Sequence, residues 1–179
     1  MFFSIQVSQP KFISDKAVER QFLSEEYLEN SLEDIFASNS EVAILNWQGI
    51  VVPLNYKYDL PTFIGEIIET VLELIEHKSG QKTVFFASSS FMVEWQLTWN
   101  DDDLLVKANW MSTSGGIEVL LNKSQTLEIK LLDFLAEWCE LLRIVQKYYM
   151  GLDIKANSKS IGKIDKILSV VTVRGFHYR

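Results

Sequence analysis

The residues able to do acid–base, nucleophilic or metal chemistry are few and scattered. Histidine occurs twice, at His77 and His177, and cysteine once, at Cys139. General acid–base catalysis by histidine, or a metal site built on several histidines, has little to draw on. His77 follows Glu73 by four residues and Glu69 by eight, so a helix would put all three on one face, where two carboxylates and an imidazole can hold a metal ion. The same spacing fits a solvated helix face with His77 at the end of the helix dipole that favours a cation, and that is the reading preferred here. Cys139 sits between Trp138 and Leu142 in an apolar stretch and reads as a small core hydrophobe. The loop Ser112-Thr-Ser-Gly-Gly116 has the composition of a phosphate cradle, but phosphate loops lead into a helix N-terminus. Here Ile117, Val119 and Leu121 alternate as a strand would, so a hairpin turn is expected.

The carboxylates are the more informative set. Asp101, Asp102 and Asp103 lie side by side between two strongly alternating segments, at the tip of an expected hairpin. Nothing in a turn requires three mutually repelling charges, so either solvation or an electrostatic contact with a basic partner accounts for them. Glu94 and Glu118 fall at positions expected on the wet face of the neighbouring strands. The calcium-loop reading fails on spacing, because the alternating ligands and closing glutamate are absent. No cofactor is expected.

Several elements must position these residues. Phe3, Ile5 and Val7 alternate as a first strand. Ser24 heads a helical stretch with Leu28, Leu32, Ile35 and Phe36 as its apolar stripe. Val42–Trp47 and Ile50–Leu54 flank Gln48-Gly49 as a hairpin, or as a strand with a bulge. Asp59 stands at an N-cap position before Pro61, and the following apolar face (Phe63, Ile64, Ile67, Ile68, Val71, Leu72, Ile75) opposes Glu66, Glu69, Glu73 and Glu76, with Gly80 as the expected C-cap. Strands are then expected at Thr83–Ala87, Phe91–Trp99, Leu104–Trp110 and Ile117–Leu121. A long helix capped by Ser124 or Thr126 should run to about Tyr149. A short helix with Ile164, Ile167 and Leu168 inward, then a closing strand Val170–Val173, complete the chain. The fold class expected is α+β: an antiparallel β-meander with one face covered by long amphipathic helices. Trp95, Trp99 and Trp110 fall on its apolar face, so they read as core beneath the long helix.

The 179 residues suit a single domain, 1–179, with a basic C-terminal segment, 152–179. Residues 1–140 carry 9 Lys/Arg against 22 Asp/Glu, a balance of −13, whereas residues 141–179 carry 8 against 2, a balance of +6. An acidic body repels nucleic acid and attracts basic proteins, so nucleic acid is disfavoured as a partner. Lys155, Lys159, Lys163 and Lys166 recur at helical spacing and are expected to pair with the acidic body or to be solvated. The longest apolar segment, Leu127–Tyr149, is interrupted by seven charged residues and reads as a core helix rather than a membrane span. The N-terminal residues lack a basic segment before an apolar core. With a single cysteine and no internal disulfide, this points to the cytoplasm.

The size, the acidity, one meander with helices, and the segment Asn46-Trp-Gln-Gly-Ile-Val-Val-Pro-Leu54 ahead of an amphipathic helix resemble the immunity proteins of bacterial polymorphic-toxin and contact-dependent growth inhibition systems. The resemblance implies a cytoplasmic inhibitor that binds one cognate protein toxin and blocks its active surface. It also implies that Asp101, Asp102, Asp103, Glu94 and Glu118 meet a basic face of that toxin. Two alternatives stand beside it. One is a small-ligand or enzymatic domain using a pocket between sheet and helix, with Glu94, Asn109, Tyr148 and His177 as its polar groups. The other is a regulatory or structural subunit of an oligomer, which requires an exposed apolar patch.

Overall fold

The computed structural model describes residues 2–10, 32, 36, 41–150 and 159–173. The fold is α+β with two antiparallel sheets. The first sheet takes strands β1 (Phe3–Gln6), β2 (Val42–Trp47) and β3 (Ile50–Asn55) in the order β1-β2-β3. The second is a four-stranded meander of β4 (Ser79–Ser88), β5 (Phe91–Asn100), β6 (Asp103–Thr113) and β7 (Thr126–Lys130). Helix α1 (Leu60–Glu76) packs along β4. A single-turn α2 (Glu118–Leu121) follows β6, and α3 (Leu131–Met150) lies against β1 and β7. Helix α4 (Lys159–Val173) rests on α1 and α3.

Side-chain alternation sets which face of each strand is buried. Along β5, Phe91, Val93, Trp95, Leu97 and Trp99 turn inward, as do Leu104, Val106, Ala108 and Trp110 on β6. The inner face meets α1, α3 and the first sheet through a continuous set of aromatic contacts. Phe63 of α1 stands edge-on to Phe86, Trp47 of β2 lies 5.5 Å from both Trp95 and Trp110, and Trp138 of α3 lies 6.1 Å from Trp95. Each fully buried Phe, Leu or Ile in this core is worth about 1.5–3 kcal/mol over an exposed one. Leu32 and Phe36, both fully buried, are the described members of the helical stretch expected after Ser24; its other stripe residues lie outside the described residues.

The hydrogen-bonding phase of every strand follows from its turns. Trp47 and Ile50 flank the two-residue turn Gln48-Gly49, whose φ angles of 52° and 88° suit a hairpin that follows the strand twist. This pair therefore bonds between β2 and β3, which directs Val51, Pro53 and Asn55 of β3 outward. Gln48 N–H donates to Phe2 O, so β2 meets β1 through its even residues, and the N–H groups of Phe3 and Ile5 point away from the sheet. Glu137 of α3 takes up the Ile5 N–H at 2.6 Å.

Four expectations are corrected. Ile117–Leu121 is not a strand: Gly115 and Gly116, at φ 94° and 65°, turn the chain into one helical turn in which Leu121 alone is buried and Val119 is 74% exposed. Three apolar residues at two-residue spacing do not separate a strand from a single turn. The fourth strand is instead Thr126–Lys130, so α3 starts at Leu131 rather than at a Ser124 or Thr126 cap. Val170–Val173 continues α4, because Ile161, Ile164, Ile167 and Val171 keep one helical face buried despite the β-branched run. Gly80 does not cap α1; His77 does, in an extended conformation, and Gly80 lies in β4 against the indole of Trp99. Asp59 precedes α1 as expected but makes no side-chain cap bond. Its buried carboxylate instead accepts from Asn55 N–H at 2.6 Å and from the hydroxyls of Ser88 and Ser90, tying β3 and the β4–β5 turn to the helix start.

Two predictions follow from this packing. A β-carbon at Gly80 would lie 2.4 Å from Trp99 Cζ2, and that ring is held by its N–H donating to His77 O at 2.9 Å. Gly80→Ala is expected to destabilise the fold by about 1–3 kcal/mol in urea unfolding, as overpacking does. Glu137 is half-buried. Burial raises its pKa above the ordinary 4.5, the Ile5 N–H pulls it down, and the charges of Glu140 and Asp133 push it up. Its proton is thus held more tightly in the folded chain, so its contribution to stability is full below the ordinary value and is lost as pH rises through the raised one. Glu137→Gln keeps the acceptor for Ile5 and is expected to raise the melting temperature at neutral pH. That gain should close as melts are repeated below about pH 4.

Candidate functional site

The acidic turn is a rigid feature. Asn100 and Asp103 pair across the β5–β6 turn, with Asp101 at φ 50°, a left-handed conformation that Asp tolerates better than most residues. Asp101 N–H donates to Lys78 O at 2.6 Å, and Asp102 O accepts from Leu131 N–H, the first residue of α3, at 2.8 Å. The turn backbone is therefore fastened to both the start of β4 and the start of α3. Asp103 spends its charge on Lys130, directly across in β7, at 2.5 Å. The hydrogen bond to Asp103, then that residue's charge, then the charge of Asp102 raise the pKa of Lys130. Asp101 and Asp102 remain exposed, and their carboxylates meet no cation among the described residues.

The acid of α1 is compensated. Lys82 of β4 reaches Glu73 at 3.1 Å and Glu66 at 3.7 Å, Lys163 of α4 pairs with Glu69, and Lys166 with Glu76 at 2.6 Å. The hydrogen bond from Lys166, and then its charge, lower the pKa of Glu76. The basic segment thus folds back onto α1 at Lys163 and Lys166. Lys155 lies outside the described residues, and Lys159 is exposed at the start of α4. Glu69 and Glu73, which with His77 composed the possible metal face, are instead lysine partners. Among the described residues no group of three His, Cys, Asp or Glu is placed to hold a metal ion.

The five candidate partner-binding residues do not converge. Glu94 is half-buried on the outer face of β5, opposite Phe85 and Asn109, and accepts from Gln96 Nε2 at 3.2 Å. It is seven residues from Asp101, or about 24 Å along an extended strand. Glu118 departs further from expectation: it belongs to α2 at the far end of the sheet, where its carboxylate accepts from the backbone N–H and the hydroxyl of Thr113. Those bonds, with one from its own backbone as the largest cause, lower its pKa. It closes the Ser112–Gly116 loop from inside, so that loop ends on a carboxylate rather than on a phosphate site. The alternative polar set is also dispersed. Glu94 and Asn109 face outward, while Tyr148 of α3 is buried with its hydroxyl donating to Pro10 O at 2.5 Å. His177 lies outside the described residues.

The sequence reading missed the character of the outer sheet face. Phe85 and Met111 are 49% and 43% exposed there, among Gln96, Lys107, Asn109 and Glu128. A signal was present at Phe85: Val84-Phe85-Phe86 is an apolar run that breaks the strict alternation of a one-face strand. Trp95, Trp99 and Trp110 are core, as expected. Cys139 is also core. Burial pushes its thiol up to about 11; Arg143 opposes the shift and Glu140 adds to it.

No family model, curated protein or solved structure matches this chain.

The environment of Cys139 predicts an inert thiol. In the native protein at neutral pH, reaction with a disulfide reagent is expected to be at least about tenfold slower than for a free cysteine, and to reach that rate in denaturant.

Proposed function

We propose that this chain is a protein-binding inhibitor of the immunity type, one that neutralises a cognate toxin domain by covering a basic active surface. The observation that carries this reading is the contrast between two sets of acids. The four glutamates of α1 are in contact with lysines, whereas Asp101 and Asp102 form no ion pair among the described residues and stand on a turn whose backbone is fixed at both ends. A charge held on a fixed backbone keeps its field directed outward and spares the backbone part of the ordering cost when a partner docks. The outer sheet face beside it offers apolar anchors and hydrogen-bonding side chains together, the composition of a protein contact rather than of a catalytic cleft. Glu94 belongs to that face. Glu118 is bonded internally and drops out of the proposed contact.

The reading is supported further by what such a tip can do. Unpaired carboxylates accelerate the encounter with a basic surface, while the affinity comes from the apolar anchors that become buried. The test is the double variant Asp101→Asn/Asp102→Asn, which leaves the Asp103–Lys130 pair in place. With the toxin domain encoded beside this chain's gene, the association rate at low salt is expected to fall about tenfold or more, with the dissociation rate little changed. An unchanged association rate would remove the tip from the interface, and no complex with any neighbouring gene product would remove the inhibitor reading.

A further inference from the structure

Two sheets have four edges, and three of them are blunted by a capping group, a proline or a short strand. On β1 the outward Ile5 N–H is taken by Glu137. On β3 the three outward residues are Val51, Pro53, which has no N–H, and Asn55, whose N–H is taken by Asp59. On β7 the outward Thr126 O accepts from Gln48 Nε2 at 2.6 Å, and the strand is only five residues long. Short strands, prolines and capping groups are the devices by which proteins keep an edge from pairing with another chain.

β4 has none of them. It is ten residues long, carries no proline, and pairs with β5 without a register shift. Ser88 and Phe91 flank a two-residue turn, and at the other end Asp101 N–H reaches Lys78 O. Both ends set the same phase: even residues bond to β5, and the N–H and C=O groups of Ser79, Gln81, Thr83, Phe85 and Ala87 point away from the sheet. Among the described residues none of these groups is met. Five consecutive outward positions thus form an open ladder with an exposed phenyl ring, Phe85, beside it.

The chemistry of this edge selects its occupant. We infer that β4 pairs antiparallel with β4 of a second copy of this chain, about a two-fold axis near Phe85, joining two four-stranded sheets into one of eight strands. The five outward residues are all uncharged, so a two-fold juxtaposition brings no like charges together, although the chain is acidic. The one charge on the strand, Lys82, turns to the inner side and is neutralised by Glu66 and Glu73. A strand without free charge offers nothing that would prefer a basic partner. In an antiparallel pair, by contrast, the registers centred near Phe85 set each ring opposite or diagonal to its copy, within reach of aromatic contact. A single strand pair is a small interface beside the roughly 1,200–2,000 Å² of stable complexes, so the dimer is reversible and depends on concentration. It leaves the tip at Asp101 and Asp102 and the anchor Met111 free and shares only Phe85 with the face proposed for the toxin, so the mass of the chain alone and the association rate of the tip variant fail separately.

Sedimentation equilibrium of the full chain from micromolar to millimolar concentration tests this. The average mass is expected to rise from 20.7 kDa towards twice that value. The amides of Gln81, Thr83, Phe85 and Ala87 should slow in hydrogen exchange in step with the mass. Thr83→Pro removes an N–H that the β4–β5 ladder does not use, and Phe85→Lys places two charges across the axis; each is expected to weaken the dimer at least tenfold while far-UV circular dichroism is unchanged. If Thr83→Pro fails to fold, Phe85→Lys alone decides, because that side chain is exposed. A mass that stays at one chain throughout overturns the inference, as does a dimer that survives Phe85→Lys. Protection of the β4 amides that is independent of concentration, or that appears only when a foreign extended peptide is added, overturns it as well.

Discussion

The ring of Trp95 is the point on which the two sheets and the long helix meet. It lies within 6.5 Å, centroid to centroid, of Phe3 and Trp47 from the first sheet, Phe86 and Trp110 from the second, and Phe134 and Trp138 from α3. Aromatic pairs contribute about 0.5–1.5 kcal/mol each beyond the area they bury, and here several pairs share one ring, so their geometries are mutually constrained. The arrangement has a cost. Among the described residues the indole N–H groups of Trp95 and Trp110 meet no hydrogen-bond partner, which at about 1–3 kcal/mol per buried donor offsets part of that gain. Trp47 and Trp99 each donate to a backbone carbonyl, Ser124 O and His77 O.

That core explains why one face of the meander is free. With Phe86, Trp95 and Trp110 turned inward, the outer positions of β4, β5 and β6 are left to solvent, and the pleat delivers Phe85, Glu94 and Asn109 there as one cross-strand row. The charges follow a separate logic. Helix α4 sits on α1 through its isoleucines, and this contact alone brings Lys163 and Lys166 to Glu69 and Glu76. Surface pairs of this kind are worth at most about 1 kcal/mol each. Their larger effect is on the field of the molecule, since they quench the acidity of one face and leave that of the β5–β6 turn intact.

How much of this was legible depended on the range of the interaction that decides it. Strands β5 and β6 and helix α1 read directly from the chain because alternation and helical spacing are local and long enough to be unambiguous. Ile117–Leu121 and Val170–Val173 depart from their pattern because three or four β-branched or alternating residues carry no period of their own, and contact with β6, or with α1 and α3, decides their state. Gly80 was assigned to a helix end on local grounds, whereas its requirement is the Trp99 ring on the next strand. For the candidate site, the acidic turn was visible as a run of three aspartates. The loss of Asp103 to Lys130 and of Glu118 to Thr113 was not, because each partner is fixed only by the register or by a turn. Edge protection was the least visible feature of all, since Glu137 meets Ile5 across 132 residues.

The placement of the tryptophans has an optical consequence. All five (Trp47, Trp95, Trp99, Trp110 and Trp138) are at most 3% exposed, and four of them, Trp99 excepted, are linked by ring contacts of 6.5 Å or less. Their burial predicts an emission that is blue-shifted, hard to quench from solution, and responsive chiefly to loss of the core. A partner landing on the outer sheet face or on the acidic turn passes unseen by this signal. The protein carries a built-in reporter of its own unfolding that is blind to its recognition, and a dye or label on the outer face is needed to follow the latter.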